Sequence, residues 1–188
     1  VPEEYRHGKN RRQEINGVRV VRCFERGRGG SKLGLFLNYY SFVLSSVCKA
    51  LFYKGEFDVI LANQLSPVMM VYPALVLKRR FHKKLLLYCM DLWPDSLAAG
   101  GVRRGSLLYR FYRWVSRRIY RKADKILTTS DQFISYFHEI LQIQNKPIEH
   151  LPQYAEDIFC VGDKREKTQK TGCDLVFAGN VGKMQSVQ

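Results

Sequence analysis

The sequence predicts an α/β protein, with a parallel β-sheet flanked by helices. Three observations carry this. Short β-rich runs alternate along the chain with stretches of helical spacing. The run Phe57-Asp58-Val59-Ile60-Leu61-Ala62 has the composition of a buried parallel strand. Strand followed by helix, repeated several times, calls for right-handed crossovers that return to one sheet.

The elements follow in order. Val1 to Asn16 is polar and charged, unlike a targeting segment, and lacks an initiator Met. Asn16-Gly17 is a turn signal, and Val18 to Cys23 has strand composition. Arg26 to Lys32 is a glycine-rich basic loop. Leu33 to Tyr53 has one charged residue, Lys49, and nearly the length of a bilayer span. Its Gly34, Asn38, Ser41, Ser45 and Lys49 share one helical face, however. That pattern predicts a helix packed on a sheet, or half-sunk in an interface, in preference to a spanning one.

After the 57–62 strand, Ser66-Pro67 reads as an N-cap followed by proline at the first helical position, with the helix running to about Arg80. Lys84 to Tyr88 is a third strand, and Asp91 to Gly101 a loop. Ser106 to Lys122 is a helix with Leu108, Phe111, Val115 and Ile119 as its apolar stripe. Lys125 to Thr129 is a fourth strand. Ser130 caps a helix to about Leu141, and Pro147 to Pro152 contains a fifth strand. Residues 164–172 read as a linker, and Asp174 to Ala178 as a strand opening a new unit.

Composition narrows the partners. The formal charge is +14, from 31 Lys and Arg against 17 Asp and Glu. Candidates are an anionic membrane surface, phosphate-bearing substrates and nucleic acid. Arg110, Arg113, Arg117 and Arg121 form one stripe on the 106–122 helix, either a solvated face or a membrane-facing one. No zinc-finger or RNA-recognition signature accompanies the charge. Five scattered cysteines and four scattered histidines point to a reducing compartment, with neither disulfide nor metal site.

In open parallel sheets, ligands bind beyond the carboxyl ends of the strands. The residues there include Gln64-Leu65-Ser66-Pro67, Asp91-Leu92-Trp93-Pro94-Asp95-Ser96 and Gly179-Asn180-Val181-Gly182-Lys183. With Lys122-Ala123-Asp124-Lys125-Ile126 and Leu151-Pro152-Gln153-Tyr154 between them, these motifs resemble family 4 glycosyltransferases, in the bacterial branch that builds capsule, O-antigen and related polysaccharides. The resemblance implies a GT-B fold of two Rossmann-like domains, the first holding the acceptor and the second the nucleotide-sugar. It implies retention of configuration, no cofactor beyond the nucleotide-diphosphate sugar, and no metal. It further implies hexosyl or N-acetylhexosaminyl transfer to a polyprenyl-linked or other glycan, in the cytoplasm at the inner face of the plasma membrane.

On that basis residues 1–163 are expected to be an acceptor-side domain lacking its first strand and loop, and 173–188 the start of a truncated donor domain. Such a fragment is expected to be inactive alone. Asp91 stands where relatives place a His or Asp facing the donor sugar, and Met90 cannot take that role. Asp91 can stabilise charge at the anomeric carbon or simply cap a loop. Asp95 can serve as an acceptor-side base. Gln64 and Ser66 can hydrogen-bond the acceptor, and Trp93 can stack on a sugar ring or anchor its loop. Gly179, Asn180, Gly182 and Lys183 fit a donor diphosphate. Two rival readings stay open: a non-catalytic membrane- or partner-binding remnant of this scaffold, and a basic nucleic-acid-binding domain.

Overall fold

The structure is a computed structural model that describes residues 3–154 and 156. The expected linker at 164–172, the second unit at 173–188 and its Gly179, Asn180, Gly182 and Lys183 lie outside the described residues.

A four-stranded parallel sheet is the centre of the fold. Its strands are β3 (Val59–Gln64), β4 (Lys84–Cys89), β5 (Lys125–Thr128) and β6 (Ile148–His150), side by side in that order. The register brings Gln64, Cys89, Thr128 and His150 into one row at the carboxyl ends. Ahead of the sheet stands a separate antiparallel ribbon of β1 (Arg12–Ile15) and β2 (Val18–Val21). Asn16 and Gly17 join it with φ of 49° and 77°, the two left-handed positions of a tight hairpin turn. The strand expected after Asn16-Gly17 therefore exists, but outside the parallel sheet. Its partner, Arg-Gln-Glu-Ile, is too polar to read as a strand.

The helices are α1 (Lys32–Leu51), α2 (Tyr72–Phe81), α3 (Asp95–Ala99), α4 (Leu107–Tyr120) and α5 (Asp131–Glu139). Ser31, Ser106 and Ser130 cap α1, α4 and α5 with their hydroxyls. No helix among the described residues is long and apolar enough to cross a membrane. The small-polar stripe of α1 has a local purpose. Asn38 Nδ2 donates to the Arg26 carbonyl at 2.5 Å. Ser41 Oγ accepts from the Arg26 N–H at 2.9 Å, and Ser45 Oγ donates to the Phe24 carbonyl at 2.6 Å. The stripe thus zips the incoming 24–28 segment onto the helix. A Cβ on Gly34 would collide with the Arg28 carbonyl oxygen, so only glycine fits there.

Two helical expectations need correction. Ser66 caps nothing: a 3-10 turn, Val68–Val71, intervenes, and α2 starts only at Tyr72. On α4 the buried face is Tyr109, Tyr112, Val115, Ser116, Ile119 and Tyr120. Leu108 and Phe111 lie on the exposed side, whereas Tyr109, Tyr112 and Tyr120 turn inward, where their hydroxyls find partners. Arg110, Arg113 and Arg121 are exposed, while Arg117 is half-buried. Burial, then the charges of Arg121 and Arg113, push the Arg117 guanidinium below its usual pKa.

Packing of the sheet is one-sided. Ile60, Leu85, Leu87, Cys89 and Ile126 are buried with side chains from α2, α4 and α5. Residues of the opposite parity face outward, and Leu61 there is 64% exposed. Parallel sheets are ordinarily covered on both faces.

At the amino end of the sheet, Asp124 gathers three elements. Its Oδ2 accepts from Lys78 Nζ of α2 at 2.6 Å and from the Leu85 N–H of β4 at 2.8 Å. Its own N–H donates to the Leu85 carbonyl at 2.9 Å. Burial acts to raise the Asp124 pKa, but the hydrogen bonds from Lys78 and Leu85, with the charges of Lys78 and Lys84, hold it below the ordinary value. Replacing Asp124 with Ala should lower unfolding stability at pH 7 by about 1–3 kcal/mol, read by urea denaturation. A depressed folded pKa makes this contribution constant above the ordinary value of about 3.8. The gap between wild type and variant should therefore narrow as pH falls from there through the folded pKa.

Candidate functional site

The carboxyl ends of β3 and β4 carry a connected polar cluster centred on Asp91. The ladder between these strands runs on past Cys89, with the Met90 N–H donating to the Gln64 carbonyl at 2.9 Å. This delivers Asp91 to the tip of the sheet. Its carboxylate accepts from two hydroxyls, Ser66 Oγ on one oxygen and Ser96 Oγ on the other. Ser66 Oγ also accepts from Trp93 Nε1 at 2.9 Å, and the Leu92 carbonyl, 2.8 Å from Ser96 Oγ, shares that hydroxyl's single proton with Asp91. The loop after β3, the loop after β4 and α3 thus meet on one carboxylate.

Gln64 holds the cluster from below. It is fully buried at the end of β3. Its Nε2 donates to the carbonyls of Leu65 at 2.6 Å and Asp91 at 3.0 Å, and its Oε1 accepts from the Tyr120 hydroxyl at 2.9 Å. Every polar atom of this side chain is engaged by protein groups. Trp93 is 3% exposed, with its ring edge-on to Tyr112 at 5.5 Å, so no open face is left for a sugar. Burial pushes the Cys89 thiol up to about 12 and the Tyr120 phenol well above its usual range. Both stay protonated and act as neutral packing groups.

A cleft of about 700 Å³ opens above this layer. Asp91, Asp95, Ser96, Val102 and Arg104 line it. Asp95, the first residue of α3, accepts on Oδ1 from Arg104 Nε at 2.9 Å and from the Tyr109 hydroxyl at 3.3 Å. Burial and the Asp95 charge raise the Tyr109 pKa, keeping it a donor. Of the expected site residues, Asp91 and Asp95 line the cleft, Gln64 and Trp93 lie beneath it, and Ser66 joins the two layers.

With the geometry of the sheet and its tip established, comparison with known families becomes informative. The family described as glycosyl transferase 4-like domain matches residues 2–153. The chain belongs to this family. No curated protein matches it.

In this glycosyltransferase domain the cleft lies where open α/β sheets bind ligands. Each oxygen of Asp91 accepts one protein hydroxyl and keeps lone-pair capacity for a further donor in the cleft. The arrangement can orient a polyol or stabilise developing positive charge without moving. No group of three or more His, Cys, Asp or Glu able to hold a metal occurs among the described residues.

Sequence reasoning missed Ser96, Arg104, Tyr109 and Tyr120. The first closes the Asp91 clamp from five residues away, a spacing visible in the Asp-Leu-Trp-Pro-Asp-Ser run. The tyrosines had no signal beyond helical periodicity.

Two outcomes test this layer. Ser66→Ala leaves the buried Trp93 indole N–H without its acceptor and should cost about 1–3 kcal/mol, read by chemical denaturation. A maleimide added to the native domain near neutral pH should modify the exposed Cys48 and spare Cys89 in peptide mass maps.

Proposed function

We propose that this domain is the acceptor side of a retaining glycosyltransferase that moves a hexosyl or N-acetylhexosaminyl group from a nucleotide-diphosphate sugar to a lipid-linked glycan. The observation that carries the reading is the half-buried Asp91 carboxylate, fixed by two serine hydroxyls at the carboxyl end of β4 and facing an open cleft. Family membership supplies the reaction class.

In this reading Asp91 contacts the sugars and offsets positive charge at the anomeric carbon. Gln64, Ser66 and Trp93 are positioning residues, since their polar atoms are spent on one another and on Asp91. Asp95 holds Arg104 on the rim, where the guanidinium can meet an anionic portion of the acceptor. Residues 1–163 are the acceptor domain, 164–172 a linker, and 173–188 the start of a donor domain in which Gly179, Asn180, Gly182 and Lys183 take the diphosphate. That assignment rests on the resemblance of these motifs alone. The setting is cell-surface polysaccharide synthesis on the cytoplasmic side of the plasma membrane, with the enzyme peripherally attached and no cofactor beyond its donor.

A transfer assay tests the reading. It uses the longest polypeptide encoded around these residues, a polyprenyl-linked acceptor and a panel of nucleotide-sugars. Asp91→Asn keeps the side-chain shape but removes the charge and turns one acceptor into an NH2 donor, and should lower kcat/KM by about 10²-fold or more with the circular dichroism spectrum unchanged. Undiminished turnover in that variant would remove Asp91 from the chemistry and the reading with it.

A further inference from the structure

The exposed half of α4 is unlike an ordinary solvated helix face. Leu107 is 82% exposed, Trp114 55% and Phe111 52%, and Leu108 is exposed beside them. At about 100° per residue, Leu107, Phe111 and Trp114 fall within an arc of roughly 60°. Single exposed apolar residues need no explanation, but three large ones on one ridge mark a docking surface. Beneath the ridge, the buried Tyr112 links α4 to α1. The Phe111 ring meets Tyr112 at 5.4 Å, Tyr112 and Tyr40 share a hydroxyl contact of 3.1 Å, and Tyr40 stacks on Phe36 at 4.2 Å. Phe36 and Leu33 are themselves exposed.

Arginines flank the ridge. Arg110, Arg113, Arg118 and Arg121 are exposed on the same half of the helix, and α4 contains no acidic residue. The Arg118 guanidinium lies 5.2 Å from the centroid of the Trp114 ring. Arginine and tryptophan side by side suit a boundary where phosphates overlie hydrocarbon. A nucleic acid would satisfy the guanidinium groups but offers no apolar layer for Leu107 and Phe111. An anionic bilayer surface satisfies both sets, in keeping with the +14 charge of the chain.

We propose that the exposed half of α4 is a shallow membrane wedge, in which Leu107, Phe111 and Trp114 enter the acyl boundary and Arg110, Arg113, Arg118 and Arg121 take lipid phosphates. This rests on the peripheral membrane location proposed above and names the element responsible. It adds an orientation as well. Arg104, on the cleft rim, stands three residues before Leu107, so a seated wedge brings the cleft mouth to headgroup level.

The chain has two tryptophans, and the buried Trp93 supplies a constant background. Vesicles of phosphatidylcholine with a minority of phosphatidylglycerol should sediment the protein and shift the Trp114 emission to the blue. Phe111→Ser with Trp114→Ser, which keeps every charge, should weaken partitioning at least about tenfold. Arg110→Gln with Arg113→Gln and Arg121→Gln should abolish the preference for anionic over neutral vesicles. Thermal melts establish that both variants fold, since the altered side chains are exposed. The proposal is overturned if the serine variant partitions like wild type, if no vesicle shifts the emission, or if duplex DNA at moderate salt binds the protein while vesicles do not. Vesicle binding is read without turnover, so a longest encoded polypeptide that docks but transfers nothing refutes only the catalytic reading. An active enzyme indifferent to vesicles refutes only the wedge.

Discussion

The tip of this domain depends on one carboxylate. Asp91 projects where β4 ends, and two serines from separate segments, one before α2 and one within α3, donate to it. Remove that anion and Ser66, Ser96 and the Trp93 indole lose their common reference point. The fully buried Gln64 grips the Asp91 carbonyl and is itself gripped by Tyr120 of α4. Four elements therefore share a hydrogen-bonded frame whose charged member, the Asp91 carboxylate, looks out into the cleft. Such a frame fixes the charge before any ligand arrives, which is what electrostatic preorganisation requires.

The opposite end of the sheet uses the same chemistry to another end. Asp124 is bound by a lysine and a backbone N–H and ties α2 and β4 to the start of β5. Lys78 also donates to the Lys122 carbonyl at 2.7 Å, and Lys146 donates to the Ala123 carbonyl at 2.6 Å. Part of the large positive charge is thus structural, spent on carbonyls and on one aspartate. The arginines of α4 are different, since among the described residues only Arg121 of the exposed four has a protein hydrogen bond, to the Gln142 carbonyl.

The sheet and most helices were readable because their signals are local. Apolar runs at 57–62, 84–88 and 125–129 and serines at 106 and 130 need no tertiary information. Asp91 and Asp95 could be placed at a cleft because strand ends in such folds line one. What escaped was contact between segments distant in sequence. Ser66 looks like a helix cap because serine followed by proline usually is one, and only the approach of Asp91, 25 residues later, gives its hydroxyl a stronger partner. On α4, Leu108 and Phe111 share a stripe with Val115 and Ile119, yet the choice of buried face fell to Tyr109, Tyr112 and Tyr120, whose hydroxyls find partners inside. Periodicity identifies a face but does not say which face the neighbouring elements will cover.

The one-sided packing of the sheet has a thermodynamic consequence. Leu61 and its neighbours are hydrated in the folded chain already, so unfolding uncovers less new hydrocarbon than a doubly covered sheet would. For the described domain, the heat-capacity increment of unfolding is correspondingly smaller than for a doubly covered sheet, and the curve of stability against temperature flatter. Any polypeptide surface that settles on those side chains steepens that curve and raises its summit together, because it binds only the folded form.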